Sequence, residues 1–178
     1  MSVKTKTTHD KMESRTKNSY QTYVYDFLKY DILVTCPNCS RKAFVKTDNF
    51  SLRNRDDSDI KVICTNCGYS KRLTEKPISI LHASSDKIIA GRHYLIGGSI
   101  DPFFYLPLWL KTDFENHTLW AYNMEHLNFL REHIEATLRE RNGQELANRS
   151  LGSRLPKWMT SKKNRESLLK KIRELQNK

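Results

Sequence analysis

The feature that most constrains this chain is a repeated cysteine pair: Cys36-Pro37-Asn38-Cys39, then Cys64-Thr65-Asn66-Cys67-Gly68. A Cys-x-x-Cys turn places two sulfurs on one side of an ion. Two such turns brought together by a hairpin close a tetrahedral site, the geometry Zn²⁺ prefers with thiolate ligands. Gly68 suits a tight turn in which backbone N–H groups approach the sulfurs. Ser40 stands at the matching place after the first pair and leaves the ligands intact. Disulfides would need an oxidising compartment. The polar stretch Met1–Tyr20 has no apolar core of the kind an export signal carries. A thioredoxin-like motif would occur once, opening a helix. The expectation is therefore a Zn²⁺ site on Cys36, Cys39, Cys64 and Cys67, structural because four cysteines leave no open position. An iron–sulfur centre is the alternative with the same ligand set.

Around the cysteines the chain reads as α+β. Residues 1–19 are basic and polar and are expected to form a flexible tail. Residues 20–80 form the first unit. It opens with a short helix on Tyr20, Tyr23, Phe27 and Tyr30, followed by strands at 32–34, 43–45, 60–63 and 69–73, with a polar loop over 48–59. A soft linker is expected at 82–87. Residues 83–178 form the second unit, α+β and ending in two helices, and the two units are expected to pack together because the first has little core of its own. In the second unit 88–89 and 93–96 read as strands. The run Phe103-Phe104-Tyr105-Leu106-Pro107-Leu108-Trp109-Leu110 is the most apolar in the chain and must bend or lie at an edge because of Pro107. Asn123 is placed to cap a helix from Met124 to about Arg141, with Leu127, Leu130, Ile134 and Leu138 inward. A last helix runs from Lys162 to about Leu175 with Leu168, Leu169, Ile172 and Leu175 inward. Trp109, Trp120 and Trp158 sit in apolar contexts and read as core.

The motif Cys36-Pro37-x-Cys39 … Cys64-x-x-Cys67-Gly68 on short strands resembles a zinc ribbon of the kind found in transcription factor TFIIB. The likeness covers roughly a quarter of the chain. The stretches Leu106-Pro-Leu-Trp-Leu, Thr118-Leu-Trp-Ala-Tyr-Asn123, Leu155-Pro-Lys-Trp158 and Lys163-Asn-Arg165 also resemble a group of bacterial ribbon-bearing proteins. That group has no settled activity to carry over. Zinc ribbons bind nucleic acid or dock proteins, so the resemblance implies both classes of partner.

Charge favours the first. The chain carries 31 Lys+Arg against 20 Asp+Glu, a net charge of +11. Both flanks are basic and the middle, 83–122, is not. Arg41, Lys42, Lys46, Arg53, Arg55, Lys61, Lys71 and Arg72 gather near the cysteines, and Lys162, Lys163 and Arg165 open the last helix, where the helix dipole disfavours cations. Clustered cations are the footprint of a phosphate-backbone binder. The leading expectation is a non-enzymatic, cytoplasmic zinc protein contacting nucleic acid with little base specificity. The alternative is a protein-docking adaptor using the ribbon or segment 103–110, and a nucleic-acid hydrolase is third. There is no Gly-rich phosphate loop, Gly-x-Ser-x-Gly or His-Glu-x-x-His. His126 and His133 share a helix face and read as surface or boundary residues. His93 and Asp101 could pair only if the fold brings them together. Asp56, Asp57 and Asp59 read as a solvated loop. No window is apolar enough for a membrane span.

Overall fold

A computed structural model describes residues 15–16, 21–48, 50–52, 56–136, 138–139 and 150–178. Apart from Arg15–Thr16, the tail expected over 1–19 lies outside these residues, as do Arg53 and Arg55.

The chain mixes helices with mostly antiparallel strands, so the α+β class holds. Strand β1 (Arg15–Thr16) pairs in parallel with β10 (Leu138–Arg139). The helix expected over 20–30 is a 3-10 turn, Val24–Lys29, that buries Phe27 and Leu28. A four-stranded antiparallel sheet follows, in sequence order: β2 (Ile32–Thr35), β3 (Lys42–Lys46), β4 (Lys61–Ile63) and β5 (Ser70–Arg72). Alternation decides its faces. Ile32, Val34, Ala43, Val45 and Val62 are buried on one face, where they meet Phe27, Leu28, Phe103, Leu108 and Tyr122. The β2 edge is covered by the later chain: Leu33 N–H donates to Tyr122 C=O (2.8 Å), Trp109 N–H to Leu33 C=O (2.9 Å) and Thr35 N–H to Pro107 C=O (2.8 Å). Pro107 lacks a donor but supplies this acceptor, so the apolar run 103–110 turns and clasps the sheet edge instead of forming one strand.

The stretch expected as a linker belongs to a hairpin. Strands β6 (Ser79–Ala83) and β7 (Ile88–Gly91) pair across the turn that Ser84 closes onto Lys87. Its Ile80 and Ile88 are about two-thirds exposed (66% and 69%), so no buried-face pattern marks it in the sequence. The reading of 93–96 as a strand does not hold either. Arg92 forks onto Asp57 (3.0 Å to each oxygen), and Tyr94 Oη donates to the same carboxylate (2.8 Å) while its ring packs edge-on against Phe50 and Phe103.

A second core forms around β8 (Leu110–Phe114), β9 (His117–Ala121) and two long helices, α1 (Met124–Glu135) and α4 (Arg165–Gln176). Leu127, Leu130 and Ile134 of α1 meet Leu168, Ile172 and Leu175 of α4 over Leu110, Leu119 and Ala121. Asn123 caps α1 as expected: its Oδ1 accepts the His126 N–H (3.0 Å) and its Nδ2 donates to Phe27 C=O (2.8 Å). Helix α1 ends six residues before Arg141. Ala136 leaves helical geometry (ψ 126°), and Leu138 pairs with β1. Two short helices, α2 (Leu151–Arg154) and α3 (Lys157–Thr160), and a 3-10 turn (Lys162–Asn164) precede α4.

Candidate metal centre

The four cysteines stand at the ends of β2–β3 and β4–β5, in two loops of the same construction. In the first, Cys36 N–H donates to Arg41 C=O (2.7 Å) and Ser40 N–H to Cys36 C=O (3.0 Å). In the second, Cys64 N–H donates to Tyr69 C=O (2.8 Å) and Gly68 N–H to Cys64 C=O (3.0 Å). The residue after the second cysteine is left-handed in both, with φ 57° at Ser40 and 74° at Gly68. Glycine adopts this at no steric cost, whereas Ser40 bears a Cβ penalty of roughly 1–2 kcal/mol.

The sulfurs converge within 4.8 Å of one another. Cys36 and Cys67 Sγ are 3.7 Å apart, and Cys39 and Cys64 Sγ are 3.6 Å apart. A disulfide would need about 2.05 Å, and all four cysteines are free. Metal–sulfur bonds of about 2.3 Å in a tetrahedron set sulfurs about 3.8 Å apart. The observed separations fit an ion held between the two loops.

Each loop also sends an asparagine to the other. Asn66 Nδ2 donates to Cys39 Sγ (3.5 Å), and the Asn38 side chain donates to Cys67. Arg41 Nη1 holds Asn66 Oδ1 at 3.0 Å, which aims that amide at the sulfur. The Asn38 amide, then the Tyr69 N–H, pull the Cys67 thiol down to about 6, while burial pushes Cys36 up to about 11. Amide donors to sulfur favour the thiolate a metal needs. Cys36 and Cys64 are buried and Cys67 is exposed, so one edge of the centre is open to chelators while the chain's own packing orients the other.

No protein-family model, curated protein or solved structure matches this chain. The ribbon resemblance therefore rests on the cysteine loops alone.

The fold sorts the cations expected at a nucleic-acid surface. Cross-strand register places Lys46 opposite Lys61 and Lys61 opposite Arg72, a row of three on the face turned away from the core. Lys42 and Phe44 share that face by alternation along β3. Lys71 pairs with Val62 and so takes the other face at the sheet edge. Arg41 is engaged with Asn66. Lys162 and Lys163 are exposed in the 3-10 turn, whereas Arg165 Nη2 donates to Ala136 C=O (3.4 Å) at the end of α1. Lys46 is ion-paired to Asp31. Lys46 and Lys61 belong to the cations that cluster around the cysteines in the sequence. Only the β3–β4 register, set across the loop between them, reveals that they align.

Asp101 is fully buried and committed to structure. Its Oδ1 accepts from Phe103 N–H (2.9 Å) and Phe104 N–H (2.8 Å), and its Oδ2 from Leu106 N–H (2.6 Å). His93 is exposed and its carbonyl accepts from Tyr105 Oη, so the possible His93–Asp101 pair does not form. His126 and His133 are core residues, 2% and 1% exposed, not surface ones. The His126 ring stacks on Phe27 (4.6 Å between centroids), and its Nδ1 accepts the Tyr122 N–H (3.3 Å). A neutral imidazole can be buried where a lysine cannot, a possibility helix periodicity does not distinguish.

Burial lowers the His126 pKa to about 3. Between that value and the ordinary ~6.5 the unfolded chain binds the proton and the folded chain does not. Stability therefore falls as pH drops below about 6.5. The His126 contribution lost between pH 7 and pH 5 is about 2 kcal/mol. Urea unfolding of metal-loaded wild type and His126→Phe at both pH values isolates it, since the thiols titrate in both. Equal pH losses in the two proteins would contradict the assignment.

Proposed function

We propose that this chain is a non-enzymatic structural-zinc protein of the ribbon type that binds nucleic acid through the outer face of its four-stranded sheet. Zinc is the ion the donor set favours. Four thiolates make a closed tetrahedral site that offers no position for substrate water, and reduced cysteines suit a cytoplasmic setting. The observation that carries the nucleic-acid reading is the row Lys46–Lys61–Arg72 beside Phe44. Like charges directly opposite one another on a sheet are destabilising. Among the described residues, Lys61 and Arg72 have no ion-pair partner. An anionic backbone across the row relieves that repulsion, and the half-buried Phe44 ring among these cations is an aromatic surface of the kind single-stranded bases stack on.

Charge reversal tests it. With a single-stranded oligonucleotide, Lys61→Glu with Arg72→Glu is expected to weaken binding at least about ten-fold. It should also make the slope of log K against log salt shallower by about 1.4, at about 0.7 per phosphate contact. Unchanged affinity and slope would remove the sheet face from the interface.

A second reading, a protein-docking adaptor, is favoured by the hairpin β6–β7. Ile78, Ile80 and Ile88 are each more than 60% exposed there, and such apolar surface marks interaction sites. Segment 103–110 supports it less: Phe103, Leu108 and Leu110 are buried, leaving Tyr105 as its exposed ring.

A further inference from the structure

A cavity of about 330 Å³ lies between β9, α1 and the segment that carries α2 and α3. Its origin is legible residue by residue. Alternation on β9 sends Leu119 and Ala121 into the core and leaves Thr118 and Trp120 on the opposite face, which forms one wall. His126 and Leu130, one turn apart on α1, form the floor. Leu155, Trp158 and Met159 close the far side, with Trp158 backed by the His117 ring in a parallel stack at 4.8 Å. The volume is within the range of small-molecule sites, about 300–1,000 Å³, and the lining is largely aromatic and apolar, as such sites are.

Three polar groups stand on these walls. Thr118 contributes a hydroxyl. Arg154 is the one charged side chain of the lining, and among the described residues it has no ion-pair partner. His126 contributes an N–H. Because its Nδ1 accepts from Tyr122, its proton sits on Nε2. His126 is 2% exposed and lines this cavity. An imidazole N–H on the floor, rings on two walls and a lone cation suit a planar ligand with an acceptor on its edge and an anion at one end.

We propose that this cavity is a nucleotide pocket: a nucleobase lies against Trp120 and Trp158, accepts from His126 Nε2–H, and carries its phosphate to Arg154. Choosing a nucleotide among planar anions rests on the nucleic-acid reading above; the cavity and its polar groups do not. The ligand is either a free nucleotide or a base splayed from a single strand. Lys157, exposed at the start of α3 and three residues after Arg154, is a second cation close to it along the chain.

The test uses the full, metal-loaded chain with adenosine and uridine 5′-monophosphates and a single-stranded oligonucleotide. Binding is followed by the three tryptophan indole N–H signals in NMR. Trp120 and Trp158 should shift on adding mononucleotide, and Trp109, which is outside the cavity, should not. Thr118→Phe, which fills the cavity from its exposed edge, should weaken mononucleotide binding at least about ten-fold, the scale of one base–aromatic stack. Arg154→Ala, at an exposed position that tolerates truncation, should erase the preference for the monophosphate over the bare nucleoside. If the oligonucleotide displaces the mononucleotide, the strand is the source; if both bind together, the free nucleotide is. Either result supports the pocket. If neither probe moves Trp120 or Trp158, the proposal is overturned, whatever the sheet face does. Loss of oligonucleotide binding in the Lys61/Arg72 reversal concerns the sheet face alone and leaves the mononucleotide result standing.

Discussion

Chelating the metal under reducing conditions is expected to lower the melting temperature by at least about 10 °C. The reason is where an ion held by the four cysteines would sit. The Cys36 and Cys64 loops join β2 to β3 and β4 to β5, and β2, β3 and β4 bring Ile32, Val34, Ala43, Val45 and Val62 into the first core. Without the ion, the Cys67 thiolate stands among sulfurs within 4.8 Å of one another with no cation to neutralise it, and Ser40 keeps its left-handed strain with nothing to offset it. Zinc-finger peptides gain about 10–16 kcal/mol from structural zinc. Even if half of that is lost to structure the apo chain retains, about 5 kcal/mol remains, or about 10–20 °C for a domain of this size. Cys36→Ser should reproduce the effect because its sulfur is buried, and added zinc should not rescue it. Equal melting temperatures for chelated and loaded protein would show that the loops hold without an ion.

Asp101→Ala is expected to cost about 3–5 kcal/mol, the scale of breaking a buried charged network. Its carboxylate is the hub of the turn 101–106. Three backbone N–H groups converge on it, Asp101 N–H donates to Leu106 C=O (2.9 Å), and Tyr105 is held left-handed at φ 63°. Lys76 is the compensating charge: its Nζ donates to Phe103 C=O (2.9 Å) and lies 4.0 Å from the centre of the Tyr105 ring. Burial pushes the Asp101 carboxyl above its ordinary range against the pull of the amides and Lys76. Alanine would leave three amides buried and unpaired. Asp101→Asn keeps one acceptor and should cost about 1–3 kcal/mol, mainly at the Leu106 amide. Because this turn leads directly into the Pro107–Trp109 clasp on β2, hydrogen exchange at Thr35 and Trp109 should accelerate in both variants. A urea-unfolding loss below about 1 kcal/mol for Asp101→Ala would show that water or a rearranged turn satisfies the amides.

What the sequence made legible was local chemistry. The cysteine spacing announced the cluster, Asn123 announced the start of α1, and the leucine stripes announced both long helices. Features that depend on distant parts of the chain were not legible. The Lys46–Lys61–Arg72 row exists only in the register between β3, β4 and β5. The hairpin β6–β7 buries no face, so no periodicity separates it from a linker. The run 103–110 has the composition of a core strand, yet Asp101 and Pro107 turn it. His126 sits on an apolar stripe where a histidine reads as a boundary residue until Phe27, far off in sequence, is seen to stack on it.

The most direct test of the account is the metal content of the full chain purified under reducing conditions, read by elemental analysis together with native mass spectrometry. The account predicts one zinc per chain, absent from Cys36→Ser. A chain that carries no metal when zinc is supplied, or that carries iron in its place, would contradict it.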